Sequence, residues 1–212
     1  LMNRLYERGL SMLGFNSDLL SQMNLLRDVI QKNETVYKVV MNAQKLTNLN
    51  YYIGAGCIAQ TVWNYQTGND FMYGISDIDF VYYDADDLSE QAENEIAKNI
   101  VALAGTQEIK IDVKNEARVH LWYKEHFGYD ISSYTSLESA INTWPTTATS
   151  IGVRLENGEI KIYAPFGLND LFGLIVKANK AQITADIYKQ KVDKWKAKSV
   201  VHKNLCKVGK SG

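Results

Sequence analysis

The chain has 212 residues, 46% apolar and 22% charged, with a formal net charge of −1. This composition supports a folded core, argues against wholesale disorder, and gives no global field for a nucleic-acid backbone. Two distant cysteines, Cys57 and Cys206, suit a reducing compartment better than a disulfide framework.

No segment offers the roughly 18 uninterrupted apolar residues of a membrane helix. The first residues mix Arg4, Glu7 and Arg8 with apolar neighbours and lack a signal-peptide core, so a cytoplasmic location without a membrane partner is expected.

In chain order, "SDLLSQMNLLRDVIQ" spaces Leu19, Met23, Leu26 and Ile30 as an amphipathic helix that Ser17 or Asp18 can cap. Residues 34–47 repeat the pattern with Val36, Val39, Val40 and Ala43. "NYYIGAG" reads as a short strand ending in a glycine turn. "CIAQTVWNYQTG" then reads as a helix with Ile58, Val62 and Tyr65 on one face and Gly68 as its C-cap. "DIDFVYY" is aromatic and β-branched, the composition of a strand.

The next helix, "DDLSEQAENEIAKNIVALAG", has Asp87 and Glu90 placed as a capping box. Leu88, Ala92, Ile96, Ile100 and Leu103 form its predicted buried stripe, and Gly105 is its stop. "EIKIDVKN" alternates Ile109, Ile111 and Val113 with Lys110, Asp112 and Lys114, a strand with two distinct faces. "NEARVHLWYKEHFG" has a helical period, and "SLESAINTW" is a short helix stopped by Pro145.

"ATSIGVRLENGEIKIYAP" is a hairpin turning at Asn157-Gly158. "NDLFGLIVKANK" and "TADIYKQKVDKWKAK" are predicted closing helices. From Lys191 onward there are seven lysines and one aspartate, a pattern of solvated chain ends. An RNA-binding role for this tail would show as steep salt dependence, lost when residues 191–212 are removed.

Three features bear on chemistry. Gly54-Ala55-Gly56 joins a strand to a helix, where backbone N–H groups and the helix dipole favour a phosphate; the same glycines also suit a purely structural turn. Asp77 and Asp79 alternate on one strand face. They form either a solvated turn or a carboxylate pair whose repulsion a cation relieves, and Mg²⁺ suits such a pair when substrate phosphates share it. Asp112 shares its strand face with Lys110 and Lys114, which allows either a third metal ligand or an exposed salt bridge.

Taken together, a glycine turn before a helix, Asp-x-Asp on the next strand and Asp on a third resemble the nucleotidyltransferase superfamily. That superfamily includes DNA polymerase β and the tRNA CCA-adding enzymes. Longer blocks extend the likeness over roughly residues 50–198: "YIGAGCIAQTVWNYQTG", "SDIDFVYYD", "DVKNEARVHLWY", "WPTTATSIGVR" and "IYAPFGLNDLFGLIVKAN". They resemble a small bacterial nucleotidyltransferase-like family whose fold is similar to the head domain of CCA-adding enzymes.

The resemblance implies an α+β fold, with a small mixed β-sheet flanked by helices, in one domain over residues 1–212. Helices would occupy 1–48, the catalytic sheet and its helices 49–165, and further helices with the basic tail 166–212. It also implies transfer of a nucleoside monophosphate from an NTP to a hydroxyl acceptor that the sequence does not specify. Asp77, Asp79 and Asp112 would hold Mg²⁺ or Mn²⁺ and serve catalysis. Gly54, Ala55 and Gly56 would meet the triphosphate, with Arg118 as a further phosphate contact. A catalytically inactive nucleotide-binding or regulatory module with the same fold is the alternative.

The chain departs from the superfamily pattern at Ala55, where Gly-Gly or Gly-Ser is usual. It departs again at Ala59-Gln60, where CCA-adding enzymes have Arg-Asp. CCA addition itself is not expected. Arg118 would otherwise be a helix-surface arginine beside Glu116. Arg154 is another phosphate candidate. The hydroxyl-rich Trp144–Ser150 segment would either line a pocket or lead into an edge strand. His120 reads as a satisfied, partly buried histidine, and Trp122, Trp144 and Trp195 read as core.

Overall fold

The computed structural model describes residues 13–46, 49–105 and 109–182, together with 184, 189 and 193. Its first two helices, α1 (Leu19–Lys32) and α2 (Glu34–Ala43), share Asn33 at their junction. The Asn33 side chain accepts the Val36 N–H at 3.2 Å and donates to Thr61 Oγ1 at 2.8 Å, so one buried amide caps α2 and ties it to the next helix. Asp18, not Ser17, caps α1. Leu26 and Ile30 of the predicted stripe are buried, whereas Leu19 is exposed in the first turn.

Five strands follow: β1 (Tyr51–Gly54), β2 (Asp77–Tyr82), β3 (Lys110–Asn115), β4 (Gly152–Glu156) and β5 (Glu159–Tyr163). Their order across the sheet is β3-β2-β1-β4-β5, with β2 and β3 parallel and every other pair antiparallel. Helix α3 (Gly56–Thr67) leaves β1 directly and ends on Gly68 at φ 67°. Helix α4 (Glu90–Ala104) supplies the crossover that a parallel β2–β3 pair requires. After β3 a short 3₁₀ turn (Glu116–Arg118) enters α5 (Val119–Phe127). Helix α6 (Leu137–Ile141) precedes the hairpin, and α7 (Asn169–Phe172) follows it.

The sheet buries one face against α1–α3, in a core that includes Ile30, Val40, Ile58, Trp63, Ile78 and Phe80. The other face carries a smaller cluster, Tyr52, Val81, Leu137 and Ile141, with Trp144 packed at its margin. This is the expected mixed sheet flanked by helices. Residues 13–46 join the sheet's own core.

Three element predictions are corrected. Ser89 caps α4 by accepting the Ala92 N–H, while Asp87 accepts the Ser89 N–H, so no Asp87–Glu90 box forms. The buried positions of α4 are Ile100 and Ala104; the rest of its predicted stripe is half-buried. The helix predicted over "NDLFGLIVKANK" is a single turn. Leu174 turns to φ 52°, and a Cβ at Gly173 would sit 2.6 Å from the Phe15 ring. The last predicted helix, from Thr184, lies almost wholly outside the described residues.

Candidate functional site

Register builds the site. Gly54 at the end of β1 is opposite Asp79 on β2, and Asp79 is opposite Asp112 on β3. Ile78 and Phe80 point into the core, so alternation places Asp77 and Asp79 on the other face, both half-buried. Alternation on β3 puts Asp112 between buried Ile111 and Val113, on the same face as Asp79. The glycine turn and three carboxylates thus meet at one end of one sheet face.

The turn itself is unusual. Ala55 has φ 58° and ψ −127°, a region glycine occupies easily and alanine does not. Its own N–H donates to the Ile151 carbonyl at 3.0 Å, which removes it as a phosphate donor. Gly54 is buried in the ladder, and a Cβ there would lie 2.5 Å from the Ile151 carbonyl and 2.8 Å from the Trp144 ring. Gly56 has open space where a Cβ would stand. It begins α3, whose first turn has no side-chain cap, so the N–H groups of that turn are the donors the helix dipole presents.

Cys57 lies at the same helix start. Burial, then the charges of Asp79 and Asp77, push its thiol up, and it donates to the Gly54 carbonyl at 3.2 Å. A thiol held neutral in this way is a structural group, not a nucleophile.

The carboxylates differ in their partners. Ser76 Oγ donates to Asp77 Oδ1 at 3.1 Å. Asp112 Oδ1 is met by Lys110 Nζ at 3.2 Å and Lys114 Nζ at 3.5 Å, the salt bridge that the strand pattern allowed. Among the described residues, no group of three or more His, Cys, Asp or Glu side chains is gathered closely enough to hold a metal ion. The donor set nevertheless suits Mg²⁺ in chemistry, being hard carboxylate oxygen on one sheet face. Closing it round an ion requires Asp112 to turn from its lysines.

A family profile described as Nucleotidyltransferase matches residues 41–200. The chain belongs to this nucleotidyltransferase family. A solved NMR structure described as revealing a CCA-adding enzyme head domain is similar in fold, with a TM-score of 0.70 and 19% sequence identity over 92% of this chain and 98% of that one. No curated protein matches the sequence.

Other residues considered in the sequence are engaged elsewhere in the structure. Arg118 donates from Nη1 to Glu93 Oε1 at 2.7 Å and from Nε to the Leu88 carbonyl at 3.2 Å. These partners lie on α4 and the segment before it. Arg154 donates to Asn50 at 3.0 Å, lies 3.4 Å from Glu156 and covers the Tyr52 ring. The hydroxyls of the Trp144–Ser150 segment bond within their own loop or to Asp170, as in the 2.8 Å Thr146–Thr149 contact, and the segment forms turns in place of an edge strand. His120 has a buried Nδ1 that finds no hydrogen-bond partner among the described residues, so it is not the satisfied histidine expected. Trp195 lies outside the described residues.

One group of the site is easily passed over in the sequence. Glu116 is buried, and desolvation, then the charges of Asp79 and Glu93, push its carboxyl up to about 8, with Lys114 pulling the other way. The signal is the alternation of Asp112, Lys114 and Glu116, which carries the polar row of β3 one position past its end.

Proposed function

We infer that the chain transfers a nucleoside monophosphate from an NTP to a hydroxyl acceptor, the acceptor oxygen bonding the α-phosphorus as the α–β phosphoanhydride breaks and pyrophosphate leaves, with Mg²⁺ or Mn²⁺ as the cation. The observation that carries this reading is the register of Gly54, Asp79 and Asp112 across three adjacent strands. It supports the reading because the turn that opens α3 and the strand positions of two aspartates are neighbours across the sheet.

Asp77, Asp79 and Asp112 would hold the ion, which when bound neutralises charge on the reacting phosphate. The first-turn N–H groups of α3, from Gly56 on, bind the triphosphate. Gly54, lacking a Cβ, lets the Trp144 ring close against the strand end. Asp112, released from Lys110 and Lys114, accepts the proton of the acceptor hydroxyl.

The test is binding followed by transfer. Mg²⁺ or Mn²⁺ with an NTP is expected to raise the melting temperature, and Asp79→Asn to abolish the gain. A labelled-NTP screen against cell extract is expected to mark an acceptor with wild type but not with Asp77→Ala. If no NTP with metal shifts the melting temperature of wild type, the reading falls.

A second reading is a nucleotide-binding module without catalysis. The lysine pair on Asp112 favours it, because two ammonium groups already balance that carboxylate. Nucleotide binding with no labelled product, for wild type and for Lys110→Ala with Lys114→Ala alike, would select this reading over transfer.

A further inference from the structure

Beside the carboxylates lies a cavity of about 160 Å³ between the end of β3, α5, the segments flanking α6 and the start of the hydroxyl loop. Its walls include Trp122, Tyr134 and Trp144, with Lys114, Glu116 and Gln182 as polar groups. Two of these residues join it to the site. Lys114 Nζ lies 3.5 Å from Asp112 Oδ1, and the Trp144 ring lies against Gly54, the residue opposite Asp79.

The polar groups are unevenly engaged. The Gln182 amide donates to Tyr134 Oη at 2.8 Å, and Tyr134 is bonded to Thr143 at 2.9 Å, so that side of the wall is fixed. Glu116 is only 6% exposed and lines the cavity, yet no hydrogen bond or ion pair with another described side chain reaches its carboxyl. A buried carboxyl without such a partner costs stability, and a ligand with polar edge atoms removes that cost. Flat aromatic walls and one polar edge suit a planar heterocycle.

We propose that this cavity receives the base of the nucleoside triphosphate and that Glu116 hydrogen-bonds its edge. The proposal rests on the nucleotidyl-transfer reading. It adds a specificity residue outside the three aspartates and the glycine turn. The cavity borders the carboxylates through Lys114, which reaches Asp112, and the glycine turn through Trp144, which packs on Gly54, so one nucleotide can engage all three.

The experiment is calorimetric titration of wild type and Glu116→Gln with Mg²⁺ and each of ATP, GTP, CTP and UTP, and with Mg²⁺ and inorganic tripolyphosphate. The expected result is that wild type prefers one NTP and binds it more tightly than tripolyphosphate. Glu116→Gln then weakens that NTP roughly tenfold, flattens the ranking and leaves tripolyphosphate unchanged. A melting curve of the ligand-free variant shows that the near-isosteric change keeps the fold.

If Glu116→Gln leaves both affinities and ranking intact, the base lies elsewhere and the proposal is overturned, even where the variant slows transfer to an acceptor. If wild type binds tripolyphosphate as tightly as every NTP, the base pocket is overturned while the phosphate site stands. If wild type binds neither, the transfer reading falls and the pocket with it.

Discussion

Ala55 holds φ 58° and ψ −127° between a strand and a helix. Such a conformation costs a non-glycine residue about 1–3 kcal/mol and persists only where the surroundings impose it. Here the imposing contacts are the Ile151 carbonyl on the Ala55 N–H and the Trp144 ring packed on Gly54. Ala55→Gly is therefore expected to stabilise the protein by about 1 kcal/mol, after the glycine's extra unfolded-state freedom is subtracted; urea midpoints check this.

Glu116 makes a pH prediction. Its folded value of about 8 lies above the ordinary 4.5, so between these values the folded chain keeps a proton that the unfolded chain loses. The associated stability is complete below 4.5 and is lost as pH rises toward 8, with a slope of up to about 1.4 kcal/mol per pH unit. Glu116→Gln is expected to flatten that decline in urea midpoints taken across the window. The sequence shows Glu116 as one acidic residue among many. Its burial follows from α5 and α6 folding over the strand end, which local pattern does not encode.

Helix α4 shows what element-level pattern reveals and what it omits. Its period, its acidic first turn and its glycine stop are all legible in "SEQAENEIAKNIVALAG". Its anchor is not, because that depends on residues more than twenty positions away. Glu93 accepts Arg118 at 2.7 Å through one oxygen and the Asn115 N–H at 2.6 Å through the other, with both charged side chains 13% exposed. One carboxylate thus fixes the helix to the end of the strand that carries Asp112. Arg118→Met leaves that charge buried and unpaired, and is expected to cost about 3 kcal/mol in thermal or urea unfolding. The one-turn α7 is the converse case. An apolar period predicts a longer helix, but the backbone leaves it at Leu174, φ 52°, just past the Gly173 on which Phe15 packs.

For the whole molecule, the fold was legible because strand composition, helix period and turn residues agree along most of the chain. The three aspartates were legible as a face, since alternation fixes sides. Their convergence was less so, because the lysines flanking Asp112 draw it along its own strand. Arg118 has an ion-pair partner on α4 that sequence distance hides.

The N-terminal helices bind the molecule into one core, with Leu26, Ile30 and Val40 fully buried alongside Ile58 and Ile78. Ile30→Ala, far from the carboxylates in sequence, is expected to lower stability by about 3 kcal/mol in a single cooperative urea transition that also reports the sheet.

Among the described residues, the order β3-β2-β1-β4-β5 leaves the two outer strands each with one neighbour. Both outer strands carry charge: Lys110 on β3 has 69% of its side chain exposed, and on β5 Glu159 has 73% and Lys161 46%. Charged outer strands discourage a second chain from adding its own backbone to the sheet. The lysine that balances Asp112 thereby also guards against aggregation, so a change that freed the aspartate by removing Lys110 would trade colloidal solubility for access to the site.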